Sequence, residues 1–316
     1  MDDYIRMWKP PRINVPQDIG TRHWADEANK TRAELEKWLC VPKSHRLMLL
    51  DRGTHAIEIG LKMLQRKLAL VLHRTYRAAK DAAIMAGYNI RYLPLDGWCP
   101  GIEDPGRECV YLPTTLGGTK IRMGRFNDWK AGVLIDSAHT CYPRMFSGVE
   151  LGENVLVALS FFQTKPLGAL GGGALIAPLR MHRLWTKTAW PLDREVNCQF
   201  YYPFPVQSWA IRYRMNRWDW HRVSQHRLIC RKLRTFVWEN FGLNSVHIEA
   251  VTPHVLVFRG QDEYVEMLRT ACDDCSIEHG EHYPRLDDPY SKSNHVSIPF
   301  HTMGVLHRLR DWVNKE

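Results

Sequence analysis

Lys165 stands in Ser160-Phe161-Phe162-Gln163-Thr164-Lys165, just after the apolar run Val155–Leu159 and just before Gly171-Gly172-Gly173. An amine at the mouth of a buried strand, between a hydroxyl and a glycine run, suits a lysine that forms an imine with an aldehyde. Earlier in the chain a second strand pattern, Gly132–Ile135, ends in Asp136-Ser137-Ala138-His139. An amine and a carboxylate at two strand ends are the polar anchors that a pyridine aldehyde requires. The amine holds the carbonyl carbon, and the carboxylate keeps the ring nitrogen protonated so that the ring accepts electrons.

Other residues fit the remaining parts of such a molecule. A phosphate needs backbone N–H groups at a helix start, and Gly53-Thr54-His55 offers them, with Ser160 adding a hydroxyl. Tyr76 opens an alanine-rich helical stretch and is the candidate to stack on the ring. His139 is placed to reach a phenolic oxygen. Taken together, these candidates name pyridoxal 5′-phosphate (PLP) as the expected cofactor. Each also has a structural alternative: a helix cap for Asp136, simple packing for Tyr76 and a satisfied core histidine for His139.

The chain of 316 residues is long enough for one large domain and a smaller one, and 45% hydrophobic with 24% charged residues is an ordinary globular composition. No apolar run reaches the roughly 18 residues of a membrane span. The acidic start, Met1-Asp2-Asp3, lacks the form of a signal peptide, so the eight cysteines read as free thiols in a reducing cytoplasm. Cys272 and Cys275 form a lone CxxC without a second pair, and no metal is expected. Lys plus Arg outnumber Asp plus Glu, 43 to 34, for a pI near 9.2. The excess gathers between Arg212 and Arg234, with Tyr213, Trp218 and Trp220 interleaved and Asp219 as the one acid. This segment reads either as a solvated face of a long helix or as a surface for an anionic substrate or a nucleic acid.

Strand candidates that are apolar throughout (46–50, 68–72, 90–95, 109–112, 133–135, 155–159 and 174–176) alternate with helical stretches. That pattern predicts an α/β fold, a mostly parallel sheet flanked by helices, with ligands collecting beyond the strand ends. Residues 1–22 read as an extended arm, 23–225 as the large domain and 226–316 as a smaller C-terminal α+β domain.

The chain resembles the fold-type-I PLP enzymes of the DegT/DnrJ/EryC1/StrS family, known mainly as sugar aminotransferases. The likeness rests on Gly53-Thr54, Thr75-Tyr76 before Ala78-Ala79, Asp136-Ser137-Ala138-His139, Ser160-Phe161 with Thr164-Lys165, and Gly172-Gly173. Near the end, His282-Tyr283-Pro284 and Ser297-Ile298-Pro299-Phe300-His301 add to it. The resemblance implies that Lys165 is the Schiff-base lysine and Asp136 the pyridine partner. Tyr76 would be the stacking residue, with Gly53, Thr54 and Ser160 on the phosphate. It also implies a homodimer with its active sites at the subunit interface. Two features depart from the family: Leu170-Gly171-Gly172-Gly173 lacks the usual acidic residue, and Phe200-Tyr201-Tyr202-Pro203 replaces an Asn-Tyr-Arg-Met-like loop.

The expected activity is therefore amino transfer from an amino acid to a keto-sugar or similar carbonyl. His282, Tyr283, Arg212 and Arg214 are the candidate substrate contacts. The alternative keeps the cofactor and removes a carboxylate from an amino acid carried on a nucleobase, as in bacteriophages that decorate their DNA, with the host cytoplasm as the setting. A non-enzymatic binding module is the third reading, against which the lysine and aspartate argue.

Overall fold

The structure, a computed structural model, describes residues 24–73, 75–93, 102–188, 203–245, 255–277, 279, 295–299 and 303–315. The large unit is a seven-stranded sheet made from β1 (His45–Leu50), β2 (Leu68–Leu72), β3 (Asn89–Leu93), β4 (Cys109–Leu112), β5 (Gly132–Asp136), β6 (Val155–Ser160) and β7 (Gly173–Pro178). Their spatial order is β1-β7-β6-β5-β4-β2-β3. β2 to β6 run parallel to their neighbours, while β7 is antiparallel to both β6 and β1.

The strands read as unbroken apolar runs because both faces of the sheet are covered. Along β6, Val155, Val157 and Leu159 join one core and Leu156 and Ala158 the other. The first core packs under α1 (Trp24–Leu39) and α5 (Pro205–Met215). The second packs under α2 (Gly53–Leu64) and α3 (Arg77–Met85), where Ala79, Ala82 and Ala83 let the helix lie close. α4 (Leu179–Thr188) leaves the end of β7.

The expected long basic helix is two helices. α5 ends at Met215, and α6 (Trp220–Phe241) starts afresh after Asp219, whose carboxylate accepts from the N–H groups of His221 and Arg222. A side chain that caps orphan N–H groups restarts a helix, which a reading by composition alone overlooked. The second half of α6 enters the smaller unit, where Leu233, Phe236, Val237 and Phe241 pack on β9 (Val255–Arg259), β10 (His295–Pro299), α7 (Asp262–Asp274) and α8 (Met303–Val313). With β8 (Asn244–Ser245) these strands form a three-stranded antiparallel sheet. The domain break expected at 225/226 falls inside α6. Cys272 is buried in this smaller core. Among the described residues, no helix is long and apolar enough to cross a membrane.

One ion pair crosses the large unit. Arg212 on α5 donates from Nη2 to Oε2 of Glu27 on α1 at 2.5 Å, with both side chains nearly buried. Arg212 Nη1 is buried without an acceptor. Arg212, expected as a substrate contact, thus ties α5 to α1. Removing one member of a buried pair leaves the other uncompensated. Glu27→Gln is expected to lower unfolding stability by about 3–5 kcal/mol in urea denaturation. A loss under about 1 kcal/mol, the range of exposed pairs, would show that the pair does not hold these helices.

Candidate functional site

The site lies at the strand ends, and the backbone explains why so many groups meet there. α2 begins at Gly53 with no side chain capping its first turn. It presses on the end of β6 so closely that a Cβ on Gly53 would lie 2.7 Å from Ser160 Cβ. The start of β7 is closer still, since a Cβ on Gly173 would sit 2.4 Å from the carbonyl carbon of Arg52. Gly172 N–H donates to Asp51 O at 2.9 Å, and Gly172 O accepts from Phe161 N–H. The glycine run after Lys165 therefore packs three strand ends together, and its lack of side chains is what admits the turn at 51–53.

These contacts frame a cavity of about 460 Å³ lined by Gly53, Thr54, Tyr76, Asp136, His139, Ser160 and Lys165, among others. Arg52, Phe162 and Thr164 also line it, and none of these was singled out from the sequence. His55 stands apart from the lining; its Nδ1 lies 2.6 Å from Asp51 Oδ1, a contact within one helical turn. Arg214 holds the backbone after Lys165, donating from Nε to Gly168 O at 2.9 Å. His282 and Tyr283 lie outside the described residues.

Asp136 is 2% exposed, and its Oδ1 accepts from Ala138 N–H at 3.0 Å. Burial pushes its pKa up, against the pull of that hydrogen bond and of the Lys165 charge. Lys165 shows the converse. Desolvation by the cavity walls lowers its pKa from 10.5 to about 8, with Asp136 opposing the shift. Its Nζ lies 2.7 Å from His139 Nε2 and 5.5 Å from the centroid of the Tyr76 ring. Tyr76 precedes α3 in extended backbone and is 52% exposed, at the mouth of the cavity.

The tautomer of His139 follows from its other nitrogen. Gly117 N–H donates to Nδ1 at 3.1 Å, so Nδ1 carries the lone pair and the ring proton sits on Nε2. Nε2–H then points at Lys165 Nζ 2.7 Å away, a contact that favours the neutral amine over the cation. Hydrogen bonding to the neutral form and desolvation act in the same direction. Gly117 sits in a short 3-10 turn, Leu116–Gly118. Its part could not be read from the sequence, because a backbone donor leaves no residue signature.

The residues present fit PLP. A buried carboxylate with a single hydrogen-bond donor awaits a cationic N–H. An amine whose pKa burial lowers to about 8 lines the same cavity, an aromatic ring flanks the amine, and an uncapped helix start with a nearby hydroxyl suits a phosphate. No family model matches the sequence, and no curated protein matches it. Solved structures do match in shape. A 3-amino-5-hydroxybenzoic acid synthase superposes with a TM-score of 0.74 at 14% identity, covering 100% of this chain and 97% of its own. A DegT/DnrJ/EryC1/StrS aminotransferase from Brucella abortus gives 0.68 at 13% identity over 92% and 90%. DesV from S. venezuelae gives 0.64 at 16% over 91% and 89%.

The chain has their fold. It is the mostly parallel α/β sheet that the strand pattern predicted, in the fold type I arrangement that the resemblance implies. The sequence identities are low enough that the likeness speaks for architecture, and the chemistry rests on the site itself.

Because the neutral amine is the reactive form, trapping of pyridoxal on Lys165 by borohydride should rise with pH to half its maximum near pH 8. An ordinary lysine has its midpoint near 10.4. His139→Leu removes the donor to the neutral amine and should move the midpoint upward, while His139→Gln, which keeps an N–H, should move it less. Peptide mass spectrometry of the trapped adduct reads both. A midpoint above 10 in the unaltered protein would contradict the neutral amine.

Proposed function

We propose that the chain is a PLP-dependent enzyme of the aminotransferase type, moving an amino group from an amino acid to a keto-sugar or similar carbonyl. The observation that carries this reading is that Lys165, its pKa lowered by burial, lines one cavity with buried Asp136, with His139 and Tyr76 beside the amine. When bound, PLP supplies an aldehyde that takes up amino groups and a ring that accepts the electrons of a carbanion.

The chain's own residues do the rest. Lys165 would hold the aldehyde carbon through Nζ, and the same Nζ, its pKa lowered by burial, would accept and return a proton. Asp136 holds the proton on the ring nitrogen, and the partner charge relieves the desolvation that raises its pKa. His139 Nε2–H would be the donor available to the phenolic oxygen. Gly53 and Thr54 N–H groups and the Ser160 hydroxyl bind the phosphate, favoured by the positive end of α2. Tyr76 covers the ring face.

Exposed Tyr76 and Phe162 support a homodimer, since a second copy would cover apolar rings that water now meets. A decarboxylase would use the same lysine and aspartate. The arginines at 214, 217 and 222, beside the segment after Lys165, favour that second reading where the amino acid is carried on a nucleobase of nucleic acid.

Lys165→Ala should abolish the visible absorbance of bound PLP, and a band that survives it would disprove the assignment. Asp136→Asn should weaken PLP binding by about ten- to a hundredfold, the worth of one hydrogen bond to a charged group. Incubation of the loaded protein with a panel of amino acids should yield pyridoxamine 5′-phosphate and a keto acid. Carbon dioxide release with no pyridoxamine 5′-phosphate would select the decarboxylase.

A further inference from the structure

Tyr76 and Asp136 reach the cavity from the ends of different strands, and a buried pair of hydroxyls joins the two. Thr75 Oγ1 lies 2.7 Å from Thr114 Oγ1, and the two residues are 1% and 2% exposed. A hydroxyl has one proton and two lone pairs, so one of the pair donates while the other accepts. Neither threonine lines the cavity, and neither has a part in the chemistry described above.

The place of this contact follows from where the sheet ladder stops. β2 and β4 pair as far as Val71 and Leu112. The chain after Leu112 stays beside β5, with Thr114 opposite Asp136 in a parallel bridge. There Asp136 N–H donates to Pro113 O and Thr115 N–H donates to Asp136 O, each at 2.9 Å. The chain after Leu72 departs instead for α3. Past the end of the ladder, the bond between Thr75 and Thr114 takes over the tie between these two segments.

Tyr76 depends on that tie. Its backbone is extended, its side chain does not cap α3, and its half-exposed ring stands 5.5 Å from Lys165 Nζ. Packing alone therefore holds the ring weakly, whereas its neighbour Thr75 is fully enclosed. A buried hydroxyl that loses its partner is costly, so the pair resists opening. Thr114 is in turn held to Asp136 through the backbone on both sides.

We propose that Thr75 and Thr114 are positioning residues whose hydroxyl bond fixes the Tyr76 ring relative to the Asp136 carboxylate. One group covers the face of the cofactor ring and the other meets its nitrogen, so their separation decides whether both can engage at once. This bearing on the ring rests on the PLP reading of the site, whereas the hydroxyl tie is measured without cofactor.

Thr75→Ala, Thr114→Ala and the double substitution are compared with Thr75→Ser and Thr114→Ser, because serine loses the methyl group and keeps the hydroxyl. Hydrogen exchange is followed first in the full-length protein with no cofactor added. Ala79 N–H donates to Tyr76 O at 3.0 Å, and its exchange should quicken about three- to tenfold in either alanine variant. The double substitution should go no further, since both changes remove one bond. With PLP bound, the alanine variants should diminish the visible circular dichroism of the cofactor and speed its dissociation about three- to tenfold. Both serine variants should restore the spectrum and the rate. Unmoved Ala79 exchange in Thr114→Ala overturns the tie, and so do serine variants as disturbed as the alanine ones. A cofactor spectrum and dissociation rate unchanged in both alanine variants overturn its bearing on the ring. Failure of the unaltered protein to take up PLP refutes the reading of the site instead, and the exchange result still decides whether the hydroxyls hold Tyr76.

Discussion

The 2.7 Å contact between Lys165 Nζ and His139 Nε2 sets the terms for the rest of the large unit. A buried lysine is costly as a cation and inert as one, so the protein must supply a reason for the amine to be neutral. Two are present: walls that desolvate it, and an imidazole whose proton points at it because Gly117 occupies the other nitrogen. Asp136 pulls the other way, favouring the charged amine. A pKa of about 8 is the balance of desolvation against Asp136, and the hydrogen bond from His139 adds to the first of these.

That balance needs the three groups held at fixed separations, which is the work of the sheet. Asp136 ends β5, Ser160 ends β6, and Lys165 follows within a turn whose backbone returns to Phe161 through Ala169 N–H. Asp136 is further pinned by its own N–H to Pro113 O and its O from Thr115 N–H. The two cores on either face make these strand ends rigid. The cost of burying a carboxylate and an amine is therefore spread over a large apolar interior.

Most of this architecture was legible in the sequence, for physical reasons that also explain the failures. Strands covered on both faces must be apolar throughout, so 68–72 and 109–112 were readable to the residue, and Lys165 and Asp136 stood out as polar groups at their edges. Local composition could not show that α5 stops at Met215, because arginines continue through the gap and only the capping geometry of Asp219 reveals it. Arg212 looked like its neighbours in a basic run; its partner Glu27 is distant in sequence and meets it only once α1 and α5 pack. His55 was expected to offer a backbone N–H to the phosphate; the contact of its ring nitrogen with Asp51 was not foreseen, since it forms only once α2 begins at Gly53. The Gly117–His139–Lys165 chain was beyond reach because it depends on a backbone donor.

The polar groups of this protein fall into two sets, and the division bears on how its specificity arises. Lys165, Asp136 and His139 are enclosed by the sheet and its crossover helices, and under the proposed function their geometry would serve any reaction that passes through an electron-accepting pyridine ring. They cannot choose a substrate, since an amino group and a carbanion are common to transamination and decarboxylation. Arg214, Arg217 and Arg222 belong to α5, to the turn that follows it and to the start of α6, outside the sheet. Arg214 links the sets, because its Nε holds Gly168 O three residues beyond the reacting lysine. Under the proposed function, this separation of the enclosed groups from the arginines would let a single fold keep its inner site and vary what is brought to it.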